Sequence, residues 1–373
     1  MSIAEGADDG GPASAGGCTP GAAVGELGEE ALLAAFTPLL PQAEQEVVPS
    51  GDDCAVVAAP DGRFCVSTDV LVQGEHFRTD WSTARDIGAR AAAQNLADIA
   101  AMGAHPTALV VSLVLPRTTP VAWVQDLARG FADACRGTGA GVVGGDLSVG
   151  ERVVIAVTVH GDLGGRRPVL RSGARAGDVV VHAGTLGRSA AGLALLQAGL
   201  DDRAGGWGEA AAAARTGIVS ECLAVYRAPS PPLSAGPALA DAGATAMLDV
   251  SDGLLRDAGR IARASGVVVE IAEPDDASGA GRVGLSADLA ALEPVAGMLR
   301  EDVVAARALA RQWVLTGGED HGLLATFAPT AVRELPTSAR VIGAVRARRV
   351  GEEAGVLLCG RVPEQLGWDH FRA

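Results

Sequence analysis

The 373-residue chain contains no lysine, so its 30 Lys and Arg positions are all arginine. A P-loop needs the lysine of its GK[ST] motif, a protein kinase needs a strand lysine, and Schiff-base catalysis needs an amine. The sequence excludes these three classes. If the protein handles phosphate, it must use arginine, backbone N–H groups or metal ions.

Other features are also scarce. Aromatic residues make up 3% of the chain, and no apolar run approaches the ~18 residues of a membrane span. The first residues lack the basic and apolar regions of a signal peptide. The six cysteines show no CxxC pair or zinc spacing, and the net charge is −15. We therefore expect a cytoplasmic protein with reduced thiols that binds neither nucleic acid nor membrane.

The length of the chain leaves room for two domains. Residues 1–25 are rich in Gly, Ala and Ser and are expected to form a disordered tail. Alternating strand and helix patterns with an antiparallel hairpin predict an α/β (α+β) fold. The segment GGRRPVLRSGARAGD (164–178) is interpreted as the connection between a domain at 26–164 and one at 165–373.

Two strands with Pro60-Asp61-Gly62 between them are expected to pair as a hairpin within SGDDCAVVAAPDGRFCVSTD. If Ala59 pairs with Arg63, Asp53 lies opposite Asp69. Like charges across a ladder are destabilising, and a shared divalent cation would resolve the conflict. Ser67 and Thr68 would add hydroxyl oxygens at the same end. The alternative is a plain turn and strand end, because Asp and Ser favour turns.

The stretch STARDIGARAAAQNLADIAAMGAHP predicts a helix that begins with a capping box at Thr83 and Asp86 and ends at Gly103. Asn95 and Asp98 lie one turn apart on the same edge of this helix. A solvated face would explain them, and so would a site that needs polar side chains, since Asp gains no capping benefit in mid-helix.

The segment MLDVSDGLLRDAG (247–259) predicts a strand that leads into a helix. Ser251 or Asp252 is expected to cap the helix, and Asp257 is expected to lie on its solvated side. Capping leaves Asp249 unexplained.

Three further short motifs carry acids or an aromatic ring. Asp146 follows a strand in GGD, Glu319 and Asp320 follow one in GGED, and Trp368 lies in GWDHF. From the residues alone, Trp368 is interpreted as a core residue. Clusters of Asp with Ser or Thr hydroxyls suit Mg²⁺, and with no lysine they indicate Mg-bridged nucleotide chemistry.

Together these motifs resemble the thiamine-monophosphate kinase family. The resemblance runs from about residue 26 to the end and rests on GDDCA (51–55), STD (67–69) with GEHF (74–77), NLADIAAMGA (95–104), GGD (144–146), LRSGARAGD (170–178), LDVSDGL (248–254), GGED (317–320) and GWDHF (367–371). It implies a two-domain aminoimidazole-ribonucleotide synthetase-like fold, a homodimer with a β-barrel across its interface, and ATP-dependent phosphorylation of thiamine monophosphate with several Mg²⁺ ions.

The resemblance also implies site residues. The implied metal ligands are Asp53, Ser67, Thr68, Asp69, Asp98, Asp146, Asp249 and Asp252, of which Asp69, Asp146 and Asp252 are the catalytic candidates. Gly145, Asp146, Arg171 and Ser251 would contact ATP, and His76, Glu319 and Trp368 would contact thiamine monophosphate. Leu147, His321 and Gly322 depart from the usual family residues.

Two other functions stay open. A selenophosphate synthetase of the same superfamily would need a reactive N-terminal cysteine with a nearby lysine; Cys18 is present, but the lysine is absent. A non-catalytic nucleotide- or thiamine-phosphate-binding protein would be marked by loss of an Asp from the cluster, and every Asp of the pattern is retained.

Overall fold

The computed structural model describes residues 22–27, 29–49, 54–203, 217–274, 284–336 and 338–368. The tail predicted at 1–25 lies outside this part except for its last four residues, where Val24 donates its N–H to the carbonyl of Thr119 (2.7 Å). Twelve strands are found in the described part: Glu46–Val48 (β1), Val56–Val57 (β2), Cys65–Val72 (β3), His105–Leu115 (β4), Gly141–Val149 (β5), Val154–Asp162 (β6), Val179–Ala183 (β7), Ala246–Val250 (β8), Val268–Ile271 (β9), Gly322–Phe327 (β10), Ala339–Arg346 (β11) and Gly355–Leu358 (β12).

Nine α-helices accompany these strands in the same described ranges: Glu29–Phe36 (α1), Ala84–Ala101 (α2), Val121–Cys135 (α3), Arg188–Gln197 (α4), Ile218–Arg227 (α5), Ala235–Asp241 (α6), Leu254–Ser265 (α7), Ser286–Gly297 (α8) and Val303–Thr316 (α9). No helix among the described residues is both long enough and apolar enough to cross a bilayer. The mixed α/β class expected from the sequence is confirmed.

The first half of the fold is a four-stranded sheet in the order β3-β6-β4-β5. β4 and β5 are parallel and are connected through α3, whereas the other pairs are antiparallel. Every second residue of β6 is buried, including Ile155, Val157 and Val159, because alternate side chains face the helical layer. α2 and α3 form that layer.

The helix α2 begins and ends as the sequence predicts. Thr83 accepts the N–H of Asp86, and the Asp86 carboxylate accepts the N–H of Thr83 in return. The chain leaves the helix through Gly103, whose φ of +74° is left-handed. Along its length α2 lies close to α3: a Cβ at Gly88 would stand 2.1 Å from the carbonyl oxygen of Leu127. Small residues therefore set the spacing of the two helices.

The hairpin expected between 54–59 and 63–68 is wrong. The turn exists, since Gly62 donates its N–H to Ala59 (2.9 Å), but β2 pairs with β1 and β3 pairs with β6. β6 offers β3 an eight-residue ladder, far longer than β2 could provide. The register that would set Asp53 opposite Asp69 is therefore not formed, and Asp53 itself lies outside the described residues.

The second half of the fold is a six-stranded sheet in the order β12-β9-β11-β7-β10-β8. One face packs on α4, α5, α7, α8 and α9, and the other packs on α6 and on the end of α2. β8 and β10 are buried along their whole length, as expected for strands covered on both faces. Because α2 reaches this sheet, it joins the two halves beside the edge strand β8.

Candidate active site

Asp249 is the fourth residue of β8 and is buried. Its neighbours Leu248 and Val250 belong to the core on one face of the sheet. Side chains alternate along a strand, so Asp249 points to the other face, where α2 lies. The structure thus directs a buried carboxylate at the boundary between the two sheets, which explains why capping could not account for it.

The helix after this strand is not capped as expected. The residue before its first turn is Gly253, and neither Ser251 nor Asp252 provides a side-chain cap. A Cβ at Gly253 would stand 2.5 Å from the carbonyl oxygen of Thr316, and its φ is +114°, so the close approach of α9 requires glycine here. The Asp252 carboxylate pairs with Arg260 instead.

The interpretation of Asp257 as a solvated residue is also wrong. Asp257 is fully buried, accepts the N–H of Asp252 (3.0 Å) and forms an ion pair with Arg260. Burial raises the pKa of its carboxyl to about 7, even though Arg260 acts in the opposite direction. Asp257 lies three residues after Leu254 and therefore shares its inward face.

The GGED loop is attached to the end of β8 by backbone hydrogen bonds. Glu319 donates its N–H to Ser251 (2.9 Å), and His321 donates its N–H to Val250 (3.2 Å). Both residues have left-handed backbones, with φ of +65° and +53°. Strain of this kind is kept where the surrounding structure enforces it, often at functional sites.

The three polar side chains of this loop have different partners. Asp320 accepts the N–H groups of Arg188 (3.0 Å) and Ser189 (2.9 Å) at the start of α4 and is structural. His321 contacts Asp249, with Nδ1 3.1 Å from Oδ2. Burial lowers the pKa of His321, but the Asp249 carboxylate outweighs that effect and the net shift is upward. Glu319 forms an ion pair with Arg90 of α2.

The four-stranded sheet brings more oxygen ligands to the same boundary. Ser67 donates its hydroxyl to Asp98 of α2 (2.6 Å). Burial, then the Asp249 carboxylate, raise the pKa of Asp98 to about 7, with a smaller contribution from Asp69. Burial also raises the pKa of Asp69, and Asp249 adds to the effect. Asp69, Asp98 and Asp249 therefore lie near one another at this boundary as an acidic cluster, in which Asp249 is buried and Asp69 and Asp98 are half-buried.

Two of the expected metal ligands, Thr68 and Asp146, lie away from the acidic cluster within a single chain. The Thr68 side chain is on the opposite face of β3 from Ser67 and Asp69, where its hydroxyl bonds to Val157 (3.0 Å). Asp146, preceded by Gly145, is exposed on β5, the other edge strand of the sheet. Three strand spacings, or ~14 Å, separate that edge from β3.

Two of the expected substrate residues flank the cluster. His76 accepts the Val72 N–H at Nδ1 (3.1 Å), which leaves the proton of a neutral ring on Nε2. In its protonated form His76 would lower the pKa of both Asp69 and Glu319, so its ring is near both carboxylates.

Trp368 is 54% exposed, which contradicts its interpretation as a core residue. Its backbone N–H bonds to the carbonyl of Asp252 (2.9 Å). The indole is therefore carried at the edge of the site.

Arg171 opens a short 3₁₀ turn next to the first residues of β8. The preceding carbonyl, of Leu170, accepts the N–H of Met247 (3.3 Å). A cavity of about 740 Å³ adjoins this turn, and its lining includes Arg166, Arg167 and Arg175. The linker between the sheets thus supplies several arginines, of which Arg166 is already paired with Asp241.

The sequence reasoning missed two neighbours of the cluster. Arg90 entered no motif, and His321 was noted only as a departure. A charge inside an alanine-rich stretch was the available signal for Arg90. Asn95, for which a solvated face was one reading, is buried; it donates to Ala91 (2.8 Å), and its Oδ1 has no partner among the described residues.

Within the described ranges, no three His, Cys, Asp or Glu side chains lie close enough together to share one ion. The donors nevertheless fit a hard cation, because they are carboxylate and hydroxyl oxygens, and burial followed by repulsion between carboxylates raises the pKa of Asp69 and Asp98, which nearby positive charge would offset.

Comparison with known proteins assigns the fold and the family. Residues 51–163 match the AIR synthase related protein, N-terminal domain, and residues 175–352 match the corresponding C-terminal domain. Thiamine-monophosphate kinase of Mycobacterium tuberculosis (strain ATCC 25618 / H37Rv) is 43% identical over 347 residues, which cover 93% of this chain and 92% of that protein. The Corynebacterium glutamicum enzyme of the same name is 40% identical over 332 residues, covering 88% and 89%.

A solved structure, AaThiL complexed with AMPPCP and TMP, superposes with a TM-score of 0.66 at 30% identity and covers 86% of this chain and 91% of that one. The resemblance stated from the motifs is thereby confirmed. The chain belongs to the thiamine-monophosphate kinase family of AIR synthase related enzymes.

Proposed function

We propose that this enzyme transfers the γ-phosphoryl group of ATP to thiamine monophosphate and forms thiamine diphosphate, by direct in-line transfer with Mg²⁺ present. The observation that carries the proposal is the acidic cluster of Asp69, Asp98 and Asp249 between the two sheets. A cluster that recruits cations replaces the lysines of other kinases.

The acceptor needs no general base. The second pKa of a phosphate monoester is near 6, so thiamine monophosphate is largely dianionic at neutral pH. The obstacle is repulsion between two polyanions, which bound Mg²⁺ would neutralise while holding the phosphates in line. The task of the protein is therefore to hold charge and to orient its substrates.

The proposed metal ligands are those that the family motifs imply: Asp53, Ser67, Thr68, Asp69, Asp98, Asp146, Asp249 and Asp252. Asp249 and Asp98 are favoured by burial and by mutual repulsion. Asp252 is already paired with Arg260, which holds its carboxylate in place. For ATP, we propose contacts with Gly145, Asp146, Arg171 and Ser251, because arginine and backbone N–H groups are the phosphate-binding groups left in a chain without lysine.

For thiamine monophosphate we propose Trp368, Glu319 and His76. An exposed indole attracts and stacks on a cationic thiazolium or a pyrimidine ring. Glu319 and Trp368 are held at neighbouring positions, because their backbone N–H groups bond to the carbonyls of Ser251 and Asp252. His76, in the turn after β3, is near enough to Glu319 to affect its pKa. The substrate would thus lie with its ring toward Trp368 and its phosphate toward the acids.

We further propose that the active enzyme is a homodimer in which the two four-stranded sheets form a barrel. Asp146 is on the opposite edge of the sheet from Asp69, so one chain alone does not assemble the whole ligand set. The sheet face away from α2 exposes Phe64, Val66 and Val70. A second copy would cover this apolar face and would bring another Asp146 toward the cluster. The domain division at 164/165 remains part of this proposal.

The test is turnover by the purified protein with ATP, Mg²⁺ and thiamine monophosphate, repeated with EDTA and with free thiamine as acceptor. We expect thiamine diphosphate with thiamine monophosphate, no product with EDTA, and no product from free thiamine. Phosphorylation of free thiamine would overturn the proposal. Tight binding of both ligands without turnover would favour a non-catalytic binding protein, and ATP cleavage that depends on selenide would favour a selenophosphate synthetase.

A further inference from the structure

Arg90 is a buried arginine that joins the two halves of the molecule. It lies in α2, its side chain is 4% exposed, and its guanidinium is 5.4 Å from the ring centre of Tyr226 in α5. One terminal nitrogen donates to the carbonyl of Tyr226 (2.6 Å), and the other forms the ion pair with Glu319. An arginine from the first sheet's helical layer is thus bound to two elements of the second.

Arg90 lies beside aromatic rings. Trp81 packs edge-on against Tyr226 at 6.1 Å between ring centres, and Arg78 lies over Trp81. The Glu319 side chain, by contrast, is 42% exposed. A role for Arg90 in the site therefore depends on its ion pair with the more exposed Glu319.

Glu319 depends on this partner for its charge and its direction. Burial raises the pKa of its carboxyl, but the nearby Arg90 charge outweighs that effect and the net shift is downward. The backbone of Glu319 is fixed by its bond to Ser251, and the carboxylate is fixed by Arg90. A guanidinium suits this task because its planar donors have fixed directions.

We infer that Arg90 is a positioning residue that fixes Glu319 for contact with thiamine monophosphate and holds it in register with Asp98 on the same helix. Asp98 follows Arg90 by eight residues, about 12 Å along α2. One rigid helix would then set the distance between the substrate contact and the proposed metal ligand. This inference rests on the proposed function, because it takes Glu319 as a substrate contact.

The experiment compares Arg90→Met with the wild type in steady-state kinetics. We expect the KM for thiamine monophosphate to rise roughly 10- to 100-fold, the size associated with a lost hydrogen bond to a charged group. The KM for ATP should change by less than about threefold, because Glu319 faces the other substrate. Arg90→Lys keeps the charge without the planar geometry and should give an intermediate KM; it also serves if Arg90→Met does not fold.

A double-variant cycle isolates the role of the pair. Glu319→Gln alone should raise the same KM, and adding Arg90→Met should raise it no further, since the substitutions disrupt one unit. Arg227→Met is the matched control. Arg227 is 2% exposed and crosses the same boundary to the carbonyl of Trp81 (2.8 Å), but its carboxylate partners are Asp201 and Asp202. We expect lower thermal stability and an unchanged KM from this variant.

The outcomes separate the two claims. If the wild type turns over thiamine monophosphate and folded Arg90→Met has an unchanged KM, the positioning role is overturned and the proposed function stands. Additive effects of Arg90→Met and Glu319→Gln on KM have the same meaning. An equal rise in KM for Arg227→Met would assign the effect to any disturbance of the contact between the two halves of the fold. That result would also overturn the positioning role of Arg90. No turnover of thiamine monophosphate by the wild type overturns the proposed function together with this inference.

Discussion

The two sheets differ in how completely one chain covers them. The six-stranded sheet has helices on both faces, and all six residues of β10 are buried. The four-stranded sheet has helices on one face, while β3 exposes every second residue on the other as far as Val70. One chain therefore covers both faces of the six-stranded sheet but only one face of the four-stranded sheet.

The difference extends to the site. Residues from the six-stranded part are each held by a charged or hydrogen-bonding partner: Asp249 by His321, Asp252 by Arg260 and Glu319 by Arg90. Residues from the four-stranded part include Thr68 and Asp146, which are exposed. The six-stranded part thus holds its share of the site with ion pairs and hydrogen bonds within one chain, whereas the four-stranded part would complete its share in the proposed homodimer.

The largest effect on turnover is expected for Asp249, which the six-stranded part contributes to the site. Asp249→Asn should reduce turnover by about 10³-fold, similar to the loss of one preorganised charge-stabilising group, while the melting temperature stays near the wild-type value. Steady-state kinetics and thermal unfolding measure the two quantities. Asp126→Asn, in an exposed ion pair with Arg129 on α3, is the control and should turn over normally. Near-normal turnover by Asp249→Asn would remove Asp249 from the ligand set.

The second prediction tests whether the open face is an interface. Val66 is 57% exposed on β3, and Val66→Asp should convert a dimer into a 37.4 kDa monomer and lower turnover by roughly 100-fold, because an unpaired carboxylate would be buried at the interface. Light scattering after size exclusion measures the mass. Val303→Asp, at a position 80% exposed in the six-stranded half, should keep both mass and turnover. A wild-type protein that is monomeric in solution would contradict the proposal that the open face of the four-stranded sheet is an interface.

The third prediction concerns the single helical cover of the four-stranded sheet. Gly88→Ala should lower the free energy of unfolding by about 2 kcal/mol, since the added Cβ would meet the Leu127 carbonyl at 2.1 Å. Gly297→Ala, at the end of α8 with open space around it, should change stability by less than about 1 kcal/mol. Denaturant unfolding of both variants decides the point, and equal losses would show that the α2–α3 contact is not limiting.

The smallest effect concerns a buried histidine in the complete sheet. His182 on β7 is fully buried, both ring nitrogens lack partners among the described residues, and burial, with Arg340 nearby, lowers its pKa well below 6.5. The unfolded chain then binds the proton more readily, so stability should fall by about 1 kcal/mol per pH unit below pH 6.5.

His182→Val should remove this share of the acid sensitivity. The exposed His105→Gln should keep the wild-type slope. Melting temperatures between pH 7.5 and 5.5 provide the measurement, and identical slopes for His182→Val and the wild type would contradict the assignment.

Local signals in the sequence predicted local structure well. Thr83, Asp86 and Gly103 gave the ends of α2, and the alternation around Asp249 gave the strand and the helix after it. The α/β class followed from the order of such elements. These features depend on residues within a few positions of one another, where capping and periodicity act.

The errors came from contacts between distant segments. β3 pairs with β6 about 90 residues later and not with its neighbour, because the longer ladder is the better partner. Asp257 is an exception, because the contacts that the sequence did not reveal are local: it accepts the N–H of Asp252 and pairs with Arg260. The pair of Arg90 and Glu319 spans 229 residues, and neither local pattern shows it.

The central claim is that the acidic cluster supports phosphoryl transfer to thiamine monophosphate. Phosphorus-31 NMR of ATP, Mg²⁺, thiamine monophosphate and enzyme in one tube tests it most directly. We predict that the resonances of thiamine diphosphate and ADP grow in equal amounts, stop on addition of EDTA and resume with excess Mg²⁺. Growth of ADP and inorganic phosphate with thiamine monophosphate unchanged would contradict the account.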